Sequence, residues 1–380
     1  MKFIFFISIF MIAYIYIGYP LCVFLFSAFK KNKIDKNNSY EPNITILIAA
    51  YNEENNIEET IKNKLAQDYP VEKIQIIVIS DESTDHTDDI IKKFEKYGVK
   101  LLRQVPRAGK TSALNIGIKS ASGDILVFSD ANSIYKNDVL RMLVRNFYDP
   151  QVGYVTGKMI YTNPDGSTIG DGCSSYMRYE NILRKIETDI GSVVGVDGGI
   201  DAVRKRLYQP MNPDQLPDFV LPLKVVEQGY RVVYEPEALL KEQSLKNSDD
   251  EYRMRVRVSL RALWALKDMR KLLWNKMNRL FSWQLWSHKV LRYLCFIFLI
   301  IAYFSNLILW SEHELFSILF IIQSAGYTGA LIAPVLFRFN NKFCILFFIH
   351  YFVLLNLASM HACIKFFLGK KQITWSPRKG

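Results

Sequence analysis

The stretch Ile44-Thr45-Ile46-Leu47-Ile48-Ala49-Ala50-Tyr51-Asn52-Glu53-Glu54 decides the fold. An unbroken apolar and β-branched run ends abruptly in a polar turn with two acids. A strand covered on both faces reads as such a run, whereas a strand with one wet face alternates. The same grammar returns twice: Ile74 to Ser80 runs into Asp81-Glu82-Ser83-Thr84-Asp85, and Ile125 to Ser129 into Asp130-Ala131-Asn132. Helical spacing fills the intervals 53–67, 84–97, 108–120 and 137–147, with extended segments at Val99 to Arg103 and Val152 to Ile160. Strands alternating with helices predict a doubly wound α/β domain with a mainly parallel sheet. Ligands of such sheets collect beyond the carboxyl ends of the strands, so the polar residues after each run are the site candidates. Residues 166–208 are rich in glycine and read as irregular; 214–242 reads as a short helix and a strand, Arg231 to Tyr234.

Outward from this domain the chain changes character. It has 380 residues and a net charge of +11. Phe3 to Phe29 carries no charge, is longer than a signal-peptide core and is followed by Lys30, Lys31, Lys33 and Lys36. About 20 apolar residues cross a bilayer, and basic flanks stay on the cytosolic side. Residues 1–29 are therefore expected to be an anchor, with residues 30–250 a cytosolic catalytic domain. Between Arg253 and Arg292 stand eleven Lys or Arg against one acid, Asp268, so most of the net charge sits there, among Trp264, Trp274, Trp283 and Trp286. A basic, Trp-rich segment beside an apolar one suits an anionic membrane surface and gives an interface region at 251–289. With no nucleic-acid motif beside it, the patch predicts no nucleic-acid partner. Three apolar segments follow within 290–367, transmembrane or re-entrant, and then a basic tail, 368–380. Three spans put that tail outside, while its lysines argue for inside; Gly326 and Gly329 make 315–337 the re-entrant candidate. Five scattered cysteines without a Cys-x-x-Cys pair speak against a zinc site and a disulfide framework.

An acid after a strand is commonly a helix cap or turn residue, and Asp81, Asp85, Asn132 and Asp218 each have that bland reading. Four acidic motifs in order along one sheet are harder to dismiss. Gly109-Lys110-Thr111 mimics the end of a phosphate loop, but the first glycine of that loop would fall at Gln104, which excludes the ATPase reading. A transporter would need charged residues within the spans, where His350 and His361 are the candidates, with Lys365 near an end.

Taken together, Ala50-Tyr51-Asn52-Glu53-Glu54, Asp81 to Thr87, Arg107-Ala108-Gly109-Lys110-Thr111, Asp130-Ala131-Asn132, Gly195-Val196-Asp197-Gly198-Gly199, Asp218-Phe219 and Gly229 to Pro236 resemble the family 2 glycosyltransferases. This inverting group includes the cellulose, hyaluronan and poly-N-acetylglucosamine synthases. The resemblance covers about residues 43–262 and implies a GT-A-type fold with a UDP-sugar donor. It implies donor contacts at Ala50, Tyr51, Glu53, Asp81, Arg107, Lys110 and Asp130. Asp130 and Asn132 would hold a divalent cation, Mg2+ or Mn2+; Asn132 departs from the family's Asp-x-Asp by offering a neutral oxygen. Asp218 would be the catalytic base, and Asp197, Gly198 and Gly199 would border the acceptor. The Gln-x-x-Arg-Trp motif of the family's processive members is absent: Arg257 to Trp264 has a different spacing, so Arg257 and Arg261 are diphosphate candidates and processivity does not carry over.

The expectation is a multi-pass protein of the plasma membrane, a hexosyl- or N-acetylhexosaminyltransferase. It would move sugar from a UDP-sugar to a cell-envelope, exopolysaccharide or lipid-linked acceptor, with the bilayer and export or co-synthesis subunits as further partners. The alternative is a catalytically silent subunit with the same fold.

Overall fold

The computed structural model describes residues 1–162, 168–243, 248–336 and 344–372. The tail residues Arg378 and Lys379, which bear on the side of the C-terminus, and Gly166 lie outside them. The chain divides into two compact units, one of 27–162 with 177–243, the other of 1–26, 163–176 and 244–371.

The first unit is built on an eight-stranded sheet in the order β3-β2-β1-β4-β7-β6-β8-β5. Strands β1 (Ile44–Ala50), β2 (Ile74–Asp81), β3 (Val99–Gln104) and β4 (Ile125–Asp130) are its parallel half, and β1 is buried at every position. In the other half, β7 (Asp201–Arg204) runs antiparallel to both β4 and β6 (Val152–Thr162). There β8 (Arg231–Gln243) pairs parallel with β6, and the short β5 (Ile134–Tyr135) antiparallel with β8. The sheet is therefore mixed, with its parallel pairs concentrated in the first half. Helices Ile57–Leu65, Thr87–Lys92, Lys110–Lys119, Val139–Val144 and Pro217–Glu227 complete the layers. One core cluster joins Ile46, Ile48, Val78 and Val127 of the parallel half to Val155, Ala202 and Val233 of the other.

Two segments differ from the sequence expectation. Thr168–Ile190 is one continuous helix rather than an irregular stretch. Its buried positions mix Glu180, Arg184 and Glu187 with Met177, Leu183 and Ile190, so charged residues interrupt the apolar period. Strand β8 runs on through Pro236 to Gln243, accommodated by register shifts against β6 at Val152/Tyr154 and Thr156/Lys158.

In the second unit, helices Lys2–Phe29, Glu314–Leu336 and Leu346–Phe367 are long and apolar enough to cross a membrane. A fourth candidate is bent: Arg279–Tyr293 meets Cys295–Ile308 at 56°. The break thus falls at Leu294, and residues 314–336 are a continuous helix despite Gly326 and Gly329, which moves the re-entrant candidate away from 315–337. Phe5, Ala302, Leu309 and Phe316 form a small core. Helix Ser248–Asp268 packs on Cys344–Phe367 through Arg255, which donates to the Tyr351 hydroxyl at 2.8 Å, and Tyr252, whose hydroxyl lies 3.1 Å from His361 Nδ1. Arg257 and Arg261 ride on the same helix; Arg261 is buried rather than on a solvated face.

Candidate active site

Register brings the strand-end residues level: Ala50 pairs with Ser80, Ala49 with Asp130, and Asp81 with Gln104. Asp81 is fully buried and densely partnered. It accepts from the backbone N–H of Ala108 at 2.9 Å and of Gly109 at 3.0 Å, and from the Gln104 side-chain amide. Arg107 Nε approaches it to 3.7 Å. The Arg107 guanidinium also lies over the Tyr51 ring, 3.4 Å from its centroid, while the Arg107 backbone N–H donates to Glu82 Oε2 at 2.7 Å. A cation on an aromatic face is a platform on which a flat base can stack.

The next residue but two, Lys110, opens helix Lys110–Lys119 and ties the first carboxylate to the others. Its ammonium is 2.6 Å from Asp130 Oδ1 and 3.7 Å from Asp218 Oδ1. Burial alone would lower its pKa, but Asp130, Asp218 and Asp201 outweigh that and raise it, so it stays charged at neutral pH. Asp130 and Asp218 side chains are 35% and 27% exposed, so both remain open to a ligand.

Asp218 lies in the first turn of helix Pro217–Glu227, whose cap position is Leu216; Asp218 is not the N-cap. Nor does Asn132 cap the next helix, Val139–Val144, where Asp138 holds that place. Asp85 does have the bland role, accepting from Thr87 and from the Glu54 N–H and stitching the turns after β1 and β2 together. Glu53 accepts from Asn56 at 2.9 Å and gives its N–H to Thr87.

Gly198 and Gly199 have φ of +74° and +71°, a region that side chains with a Cβ rarely adopt. A Cβ on Gly198 would lie 2.7 Å from Asp218 Cγ, and one on Gly199 would lie 3.1 Å from Asp130 Oδ2. The pair is thus a bare backbone seat against which both carboxylates rest. The neighbouring Asp197 carboxylate is engaged by Arg184 at 2.5 Å, in an ion pair whose side chains are both 5% exposed.

Sequence reasoning missed Glu82, Gln104, Arg184 and, above all, Asp201. Asp201 opens β7, opposite Phe128 of β4 and Thr156 of β6, and is buried. The Thr156 and Tyr154 hydroxyls face its carboxyl, but neither oxygen has a well-formed hydrogen bond, and Thr156 Oγ1 lacks one too. Burial first, then the Asp218 charge, push its pKa up to about 8, so it is largely protonated at pH 7. The signal available was an acid inside an otherwise apolar strand, Ile200-Asp201-Ala202-Val203.

A mixed sheet with helices, carrying carboxylates along the carboxyl ends of its parallel strands, is the GT-A glycosyltransferase fold. Residues 45–202 match the model for Glycosyl transferase family 2, and the chain carries a domain of that family. Over 202 residues it is 32% identical to the poly-β-1,6-N-acetyl-D-glucosamine synthase of Staphylococcus aureus, covering 52% of this chain and 48% of that protein. It is 28% identical over 249 residues to the probable glycosyltransferase YdaM of Bacillus subtilis, covering 61% and 58%. The chain therefore spans roughly half the length of the curated relatives it matches. Among solved structures, the mannosyltransferase PcManGT of Pyrobaculum calidifontis, in complex with GDP-Man and Mn2+, superposes with a TM-score of 0.75 at 22% identity. That likeness in fold covers 97% of this chain and 99% of the other.

Proposed function

We propose that this domain catalyses inverting transfer of a sugar from a UDP-sugar to a saccharide or lipid-linked acceptor of the cell envelope or an exopolysaccharide. It would work on the cytosolic face of the plasma membrane. The observation that carries the reading is the loop 107–110. Through its amides it holds Asp81, and through Lys110 it draws Asp130 and Asp218 to one ammonium. Carboxylates from three distant parts of the chain thereby surround a place where a diphosphate can lie.

In this reading Tyr51 and Arg107 hold the base by stacking, and Asp81 fixes the loop that carries Arg107 and Lys110. Lys110 meets negative charge as the nucleoside diphosphate departs. Asp218 takes the proton from the acceptor hydroxyl as that oxygen attacks the anomeric carbon, and the glycine seat lets the acceptor approach. Asp130 Oδ2 and the Asn132 amide oxygen are donors suited to a hard divalent cation, and no cluster of three or more His, Cys, Asp or Glu stands among the described residues to cage one. That set fits an ion shared with substrate phosphates; when bound it would neutralise the leaving diphosphate. The S. aureus relative, a poly-N-acetylglucosamine synthase, favours an N-acetylhexosamine donor.

Asp218→Asn tests the assignment. Transfer to acceptor should fall by about 100-fold or more, while UDP affinity, measured by calorimetry, stays within about twofold of wild type because the base touches no part of the nucleotide. Full activity in this variant would remove Asp218 from the mechanism.

A further inference from the structure

Beneath the Asp130–Asn132 turn lies a set of side chains that the mechanism does not use. Thr60, Asn63 and Lys64 follow one another at helical spacing on Ile57–Leu65 and share a face. The Thr60 hydroxyl donates to Ala131 O at 2.7 Å. Lys64 Nζ donates to Ser133 O at 2.6 Å, and Asn63 Nδ2 to Tyr135 O at 2.9 Å. Asn63 Oδ1 accepts the Tyr135 N–H at 2.8 Å and faces Lys64 Nζ at 3.1 Å. Alternate carbonyls of the segment that follows Asp130 are therefore each gripped by one helix.

Lys64 is the unusual member. Its side chain is fully buried, with its ammonium 3.5 Å from the centre of the Tyr135 ring. Burial drives its pKa well down, and Asp130 pulls the other way. Burying an amine in an apolar setting is costly unless its hydrogen bonds are made, as they are here to Ser133 O and Asn63 Oδ1. What the ammonium adds is direction: carbonyl oxygens and a ring face satisfy it only in one arrangement. That arrangement extends further, because the Tyr135 hydroxyl lies 2.7 Å from Gly199 O, in the seat shared by Asp130 and Asp218.

We propose that Lys64, helped by Thr60 and Asn63, is a positioning residue that sets the Asp130–Asn132 turn at a fixed offset from the glycine seat, and so governs cation-dependent capture of the diphosphate. This rests on the reading above, in which Asp130 and Asn132 share a cation with the donor.

The test is UDP binding to the purified full chain by calorimetry, with and without Mn2+. Wild type should bind UDP more tightly with Mn2+. In Lys64→Met that Mn2+-dependent gain should shrink by about tenfold, while UDP affinity without metal stays within about twofold, since Tyr51, Asp81 and Arg107 are untouched. Should Lys64→Met not fold, Thr60→Val removes one grip only; its gain should shrink by about threefold. An undiminished gain in whichever variant folds overturns the positioning role, whatever happens to its melting temperature. No gain in wild type overturns the cation reading itself, and the inference with it.

Discussion

Two buried carboxyls on the same sheet have opposite surroundings. Asp81 ends a parallel strand and is met by two backbone amides, a side-chain amide and a guanidinium. Asp201 opens an antiparallel strand in the mixed half and meets the Tyr154 and Thr156 hydroxyls without a well-formed hydrogen bond to either. The parallel half has finished, saturated geometry, with each loop after a strand tied to its neighbour. The mixed half carries the glycine seat on which Asp218 rests, and behind it a buried acid whose pKa burial raises. Under the proposed function, the difference teaches that base recognition falls to the parallel half and proton transfer to the other, which tolerates more frustration.

If that division is real, the largest effect should come from filling the seat. Gly198→Ala places a Cβ 2.7 Å from the Asp218 carboxyl, and a displacement of that size should lower kcat by about 100-fold. Gly229→Ala is the control: its φ is +85° but nothing stands within 4 Å, so it should cost about 1 kcal/mol of stability and leave kcat alone. Equal loss of kcat in both would show that backbone strain, not the seat, matters. Next, Asp81→Ala strands the amides it holds. The donor KM should rise by about tenfold and stability fall by about 2–3 kcal/mol, with kcat at saturating donor changed far less. A kcat loss like that of Gly198→Ala would erase the contrast between the halves.

The smallest effect on activity is expected at Asp201, where the readout is stability. Its pKa is about 8 in the folded chain against an ordinary 3.8. A carboxyl whose pKa rises on folding stabilises most at low pH and loses that contribution as pH climbs from about 4 to about 8. Asp201→Asn, which cannot ionise, should therefore match wild type near pH 4 and exceed it near pH 8 by a few kcal/mol in chemical denaturation. A pH-independent difference would mean that the carboxyl ionises as freely folded as unfolded.

The contrast also explains what could be read in advance. Parallel strands covered on both faces announce themselves as apolar runs, and chain direction dictates that their acids emerge at one rim; Asp81 and Asp130 were visible for that reason. Asp218 was visible through its motif and not through any periodicity. Lys64 was hidden, because Glu58-Glu59-Thr60-Ile61-Lys62-Asn63-Lys64 reads as a solvated helix face until the turn after β4 is laid on it. Asp197 was chosen for its neighbours, yet its carboxylate is occupied by Arg184, a residue on a helix whose interrupted apolar period disguised it. Among the apolar helices, glycines suggested a break in 315–337, but the bend falls at Leu294, where no residue type marks it.

One contact in the apolar unit carries information out of proportion to its strength. Lys2 and Glu312 form an ion pair at 2.8 Å, both half exposed, which as a surface pair adds little to stability. Geometrically it ties the start of helix Lys2–Phe29 to the turn before Glu314–Leu336, and Phe5 packs edge-on against Phe316 just beneath. If both helices cross a bilayer, these two ends lie on the same side of it. A thiol label or protease that reaches one reaches the other, so a single tag near Met1 reports the sidedness of both.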